Sequence, residues 1–292
     1  MTTTASGSDA SIRNVSDTAR WVAVYRAMES ERPDAIFNDP FARRLAGERG
    51  ERIVRELPKA AASAWAMVVR TAVMDELILR KVERDGVRTI VNLAAGLDAR
   101  AYRLKLPPSV RWLHVDLPDM TAYVEQQLDG TKPVCALEYV AADLTRPDEL
   151  AAVLDRVEHA GGPALAITEG LLVYLQPESV AALARAMASR PTLRSWILDI
   201  ASPRLLEMLK QRWEPMRAAG ASPMIFGPAE GTNFFEPFGW REAEFRSLWD
   251  ESIRLDRMMP RGWIYKLLTR FVSEKRREEG RRMSGIVLLD RV

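Results

Sequence analysis

Cysteine and histidine are almost missing from this chain: one cysteine, Cys135, and two histidines, His114 and His159, in 292 residues. A single thiol closes no intrachain disulfide, so a reducing compartment fits and a cytoplasmic location is expected. Two histidines and one cysteine, with no ligand spacing among them, exclude a histidine-rich or zinc-finger-type metal site. Long apolar runs are missing too, and with them any membrane-spanning segment. The start, "MTTTASGSDAS", lacks the basic region and apolar run of a secretory signal, and residues 1–15 read as a flexible polar tail. Nor does one sign of charge dominate: 42 Lys and Arg face 40 Asp and Glu, for a net charge of +2. "SEKRREEGRR" (273–282) interleaves the two signs and reads as a solvated helix face, not a nucleic-acid patch. Neither nucleic acid nor membrane is expected as a partner, and oligomeric state is not legible.

What is present is a rhythm of elements. "SDTARWVAVYRAMES" (16–30) has helical periodicity, with Ser16 or Asp17 as its N-cap. A Pro/Asn/Asp turn region (32–47) feeds a short helix ending near Gly47. A longer helix runs from Pro58 to Glu83, with Trp65, Val68, Val69, Ala72, Val73 and Leu77 on its apolar side. After "RDGVR" short β-rich runs alternate with helical patterns. The strands read are 89–94, 111–116, 137–142, 164–168, 195–201, 252–258 and 285–291; helices at 118–128, 147–157 and 176–189 lie between some of them. Runs apolar on both faces and separated by helices predict a doubly wound, mostly parallel seven-stranded α/β sheet. The organisation expected is one domain over 16–292: a helical N-terminal cap (16–85) and an α/β core (86–292). A turn-rich, aromatic insertion at about 203–240 would form a lid.

In such sheets ligands bind beyond the carboxyl ends of the strands. "IVNLAAGLDARAYRL" (90–104) passes from strand through a tight turn into a helix. Gly96 either lets a ligand approach the backbone or supplies a positive φ. Asp98 is either a helix cap or a ligand-facing acid. Asp116 ends the next strand, about 20 residues beyond Gly96, where a carboxylate can accept from ribose hydroxyls. A dinucleotide would bring phosphates to this turn, and Asp98 would repel them. Asp98, Asp116, Asp143 and Glu169 all fall near predicted strand ends. Such a series suits a cation, and S-adenosylmethionine offers a sulfonium, a ribose and no phosphate.

Five motifs in order, "SDTARWVAVYRAMESERPDAIFNDPFA", "VNLAAGLDARAYRL", "HVDLPDM", "AADLTRP" and "ITEGLLVYLQPE", resemble the leucine carboxyl methyltransferase family. This is a class I S-adenosylmethionine-dependent (Rossmann-like) group, and its bacterial branch includes polyketide O-methyltransferases. The resemblance runs from about residue 16 to the C-terminus. It implies that Arg70 pairs with the cofactor carboxylate and that Gly96 admits the methionine portion. It implies Asp116 on the ribose, Asp143 and Leu144 at the adenine, and Glu169 facing the amino group. Tyr174 either lines the acceptor site or packs against Leu171 and Leu175. The family turn is often Gly-Ala-Gly, whereas this chain has Ala94-Ala95-Gly96, and the extra methyl at Ala94 could narrow the pocket. Eukaryotic members act on a protein phosphatase C-terminus, a partner nothing here requires.

The activity implied is methyl transfer to a carboxylate or acidic hydroxyl of a small molecule, a polyketide or other secondary metabolite among the candidates. A carboxylate acceptor needs no general base, and base candidates are scarce because both histidines read as structural. Trp21, Tyr25, Phe234, Phe235 and Trp240 either wall an acceptor pocket or pack the core. Two rival classes remain at this point: a non-catalytic S-adenosylmethionine-binding module, and an NAD(P)-dependent oxidoreductase of the same fold.

Overall fold

Strands β1 (Thr89–Leu93) and β4 (Ala164–Thr168) are buried along their whole length, as strands covered on both faces must be. In this computed structural model, which describes residues 15–56, 63–218, 223–268 and 272–292, seven strands form one sheet. The others are β2 (Arg111–Asp116), β3 (Ala136–Ala141), β5 (Leu193–Ala201), β6 (Trp240–Ser247) and β7 (Ser284–Arg291). Their order is β3-β2-β1-β4-β5-β7-β6. β1 to β5 pair in parallel, and β7 runs antiparallel to both of its neighbours. The order reverses between β1 and β4, where a doubly wound sheet opens its ligand crevice.

The period of two divides the core. Val91, Leu93, Leu113, Val115, Trp196 and Leu198 face one layer, which contains α6 (Pro147–Ala160) and α7 (Pro177–Ala188). Ile90, Trp112, Leu165, Ile167 and Ile197 face the other, against α3 (Ala64–Arg84). A third cluster joins α1 (Val15–Ser30) and α2 (Ala42–Glu56) to α5 (Pro118–Gln127), through Val24, Leu45, Met120 and Val124. The helical N-terminal segment therefore packs beside the crevice rather than apart from it.

Several local readings change. Asp17 does not cap α1 but lies in its first turn, paired to Arg49 of α2. Gly47 is non-helical, at φ +62 and ψ 179, so the short helix that opens α2 ends there as expected, and a second helical piece follows it to Glu56. Residues 1–14, and 57–62 at the start of the expected long helix, lie outside the described residues. Six of the seven strands fall where expected, but 252–258 is not the sixth. Ser247 caps α9 (Leu248–Arg254) through its side chain, so Ile253 and Leu255 belong to a helix and the turn after it. The sixth strand is "WREAEFRS", at the end of the expected insertion. It is an edge strand whose charged residues guard its open side, which masks the apolar alternation used to find strands. Within 203–240, α8 (Pro203–Ala218) and a 3-10 turn (Gly231–Phe238) are formed, and 219–222 are not described.

Candidate active site

At the carboxyl ends of the strands lies a cavity of about 1540 Å³. Single small-molecule sites hold roughly 300–1,000 Å³, so the volume accommodates two ligands side by side. Arg70, Gly96, Asp98, Asp116, Asp143, Leu144, Glu169 and Tyr174 all line it.

The first turn is held by its own backbone. Ala95 N–H donates to Val115 O at 3.0 Å and Asp98 N–H to Ala95 O at 3.1 Å. Asp116 accepts from the Gly96 N–H at 2.7 Å and from the Leu117 N–H at 2.8 Å, one on each carboxylate oxygen. Two backbone donors thereby aim the carboxylate before any ligand arrives. Gly96 has φ +55, which only glycine adopts without strain, and a Cβ there would stand 3.4 Å from the Ala19 methyl. Ala94, the departure from Gly-Ala-Gly, is also left-handed, at φ +54. What the family glycine supplies at this position is thus conformational freedom. An L-residue in that region costs about 1–2 kcal/mol, offset by roughly 0.5–1 kcal/mol of glycine's greater unfolded-state entropy. Ala94→Gly is expected to raise unfolding stability by up to about 1 kcal/mol. A urea midpoint that falls in the variant would contradict this account of the turn.

Behind the turn runs a buried chain of alternating charge. Arg70 donates to Glu169 at 2.9 Å and to Asp199 at 3.1 Å. Arg100, of α4 (Arg100–Arg103), holds Glu169 and Asp75 at 2.6 Å each and Asp98 at 3.1 Å. Arg103 continues through Asp75 to Asp39, which meets Arg26 at 2.9 Å. The chain comprises five carboxylates (Asp39, Asp75, Asp98, Glu169 and Asp199) and four guanidiniums (Arg26, Arg70, Arg100 and Arg103). It is one negative charge in excess, before Asp116 and Asp143 are added. Burial alone would raise the Glu169 carboxyl; Arg100 and Arg70 outweigh it and hold it well below the usual carboxylate range. An ionised acid beside Arg70 offers each charged end of an amino acid a counterpart in one place.

The cap position of α4 is Ala99, without a side-chain cap bond, and Asp98 one residue earlier pairs instead with Arg100. It accepts the Arg100 N–H at 2.8 Å and the Asn92 amide at 2.7 Å, besides the Arg100 guanidinium. Its charge reaches a ligand already balanced by Arg100. Asp199 did not stand out in the sequence, although an acid late in the apolar "SWILDIA" obeys the same strand-end rule as the others. It accepts from the Gly170 N–H at 2.6 Å as well as from Arg70. Asp143 is drawn below the usual carboxylate range by the Thr145 hydroxyl and N–H, and Leu144 lies beside it. Tyr174 is half-buried, and burial pushes its phenol up. Of the five aromatics considered, Trp21 lines the cavity; Phe235 and Trp240 instead stack edge-on against Trp196 in the core.

Neither histidine lines the cavity. His114 is buried within β2, and burial lowers its pKa; His159 ends α6 at the surface. The Cys135 thiol is buried and pushed up to about 11.

The strand order, the crevice at β1/β4 and the acid-rich turn define a Rossmann-like class I methyltransferase. The leucine carboxyl methyltransferase profile matches residues 19–188, and the chain belongs to that family. A Mycobacteroides abscessus protein provisionally named as an S-adenosyl-L-methionine-dependent methyltransferase is 32% identical over 255 residues, 84% of this chain and 73% of its own. One from Parafrankia sp. with the same provisional name is 38% identical over 174 residues. That match spans 56% of each chain. A crystal structure of a DUF574-family protein from Streptomyces avermitilis shares the fold, with a TM-score of 0.59 at 15% identity over 94% of this chain and 97% of that one. The chain is an S-adenosylmethionine-dependent methyltransferase, and S-adenosylmethionine is its cofactor.

Proposed function

We propose that the protein methylates an oxygen, on a carboxylate or an acidic hydroxyl of a small molecule with an apolar body, such as a polyketide or other secondary metabolite. The observation that carries this reading is the set of titratable groups on the cavity wall. No histidine is among them, and Glu169 is held ionised by two arginines, which makes it a poor proton acceptor. An acceptor that arrives already ionised needs no base. Asp199 is likewise engaged, by Arg70 and the Gly170 N–H.

When bound, S-adenosylmethionine supplies a methyl group already activated by its sulfonium leaving group. The work left to the chain is binding, orientation and exclusion of water. In this reading Asp116 holds the ribose hydroxyls, and Asp143 and Leu144 flank the adenine. Arg70 takes the cofactor carboxylate and Glu169 its ammonium. The negative excess of the buried charge chain favours a cationic ligand over a phosphorylated one. Tyr174 borders the acceptor. Among the described residues no helix is long and apolar enough to cross a membrane, and the reducing cytoplasm is the proposed setting, with no nucleic acid partner.

The rate of methyl transfer to a carboxylic acid is expected to stay level from about pH 6 to 9, because neither acceptor nor base changes charge there. Rates measured across that range, with S-adenosylhomocysteine release as readout, test it. A limb near the histidine range that disappears in His114→Asn or His159→Gln would sink the proposal.

A further inference from the structure

The stretch 273–282 interleaves five basic residues with three acidic ones in sequence, but its helix does not distribute them evenly. α11 (Glu274–Arg281) buries none of its residues, so packing does not dictate which side chain points where. The residues it contributes to the cavity wall are Arg276, Arg277, Gly280 and Arg281. These positions form one helical face. Glu274, Glu278 and Glu279 lie off it and do not line the cavity. Arg281 pairs with Asp250 of α9 at 3.0 Å, and Asp250 lines the same cavity. Arg277 donates only to the Val272 carbonyl, and among the described residues neither Arg276 nor Arg277 has an acidic partner.

This face lies at the functional end of the sheet. β6 and β5 both run antiparallel to β7, so the end of β6, the start of β7 and the helices between them share the end where β1 and β4 open. Apart from Asp250, already paired with Arg281, the wall contributed there by α8 and α9 is apolar, with Leu205, Met208, Leu209, Trp249 and Ile253. Beside them, α10 (Gly262–Leu268) exposes Trp263 at 64% and sends Tyr265 to the cavity. The acid-rich crevice and the arginine face are thus opposite in charge within one cavity whose intervening chemistry is apolar.

We propose that the arginine face of α11 is a subsite for a second anionic group on the acceptor. The acceptor class is then an amphiphilic acid: one oxygen methylated at the cofactor end, an apolar body, and a carboxylate or phosphate held by Arg276 and Arg277. The proposal rests on the oxygen-methylation reading for the acceptor's role, but the subsite itself is a matter of binding and can be tested without turnover.

The test uses the full chain saturated with S-adenosylhomocysteine and two probes, decanoate and decanedioate, titrated by calorimetry. Decanedioate is expected to bind about tenfold more tightly, the ratio that one partly exposed charge-assisted contact supplies. In Arg276→Glu/Arg277→Glu, which leaves the Asp250–Arg281 pair intact, that preference is expected to vanish while S-adenosylhomocysteine affinity persists. Arg276→Gln/Arg277→Gln serves as the milder variant if charge reversal impairs folding. No preference in the wild-type protein, no binding of either acid, or a preference that survives in the variants overturns the subsite. So does cosedimentation with phosphatidylglycerol vesicles that the variants lose while no diacid preference exists, because the arginines then serve a lipid surface. If decanedioate is preferred but no acid is ever methylated, the functional reading falls and the subsite stands.

Discussion

Arg100→Met is expected to cost about 3–5 kcal/mol of unfolding free energy at neutral pH, the scale for removing one member of a buried ion pair. Arg100 is 2% exposed and serves three carboxylates. Asp75 keeps Arg103 and Glu169 keeps Arg70, but Asp98 loses the guanidinium that balances it. Methionine fills much of the volume, so the loss reports charge rather than a cavity. The pH dependence gives the sign. In the wild-type protein Glu169 has a depressed pKa, so its contribution is present above the ordinary carboxylate range and lost as pH falls through the folded value. In the variant Glu169 keeps only Arg70, so less of that contribution exists to be lost. The gap between the two proteins is therefore expected to narrow as pH falls below the ordinary carboxylate range, from about pH 6 to about pH 3. Urea midpoints at both values decide it: a gap that is constant or widens in acid means that the charge chain is not what Arg100 supports.

Asp116→Asn is expected to weaken S-adenosylhomocysteine binding by about 10- to 100-fold, the effect of one or two charge-assisted hydrogen bonds. The carboxylate accepts one backbone N–H on each oxygen. An amide has a single acceptor oxygen, so one of those donors would face an NH2 and the side chain would turn. It would also lose the charge proposed to hold the ribose hydroxyls. Asp116 is only half-buried, so the fold itself is expected to tolerate the change. Titration calorimetry beside a thermal melt separates the two effects. Unchanged affinity would remove Asp116 from the cofactor site, and a collapse of the melt would make its role structural.

Both variants bear on residues of unequal visibility. Asp116 was legible because an apolar strand ends on it and a glycine turn precedes it at a known interval. Arg100 and Arg103 were not, although both stand within "LDARAYRL". An arginine in a short helix reads as solvated until tertiary packing turns it inward, and nothing in a local window says that Asp39, Asp75 and Glu169, distant along the chain, will meet this pair. Asp199 was an intermediate case, since its position near a strand end carried the signal. β6 was hidden for a different reason: an edge strand carries charge where interior strands carry Val and Ile.

The alternation of apolar strands with helices, the glycine turn and the acids at strand ends are local patterns. They were enough to establish a doubly wound sheet, the place of its crevice and a preference for a cationic cofactor. The inward turning of Arg100, the pairing of Arg70 with Glu169 and Asp199, and the choice of which face of α11 meets the cavity are not local. Each depends on which surfaces, distant along the chain, come to face one another. Charge makes the difference largest: a side chain's sign is written in the sequence, but whether it is balanced depends on its neighbours in space.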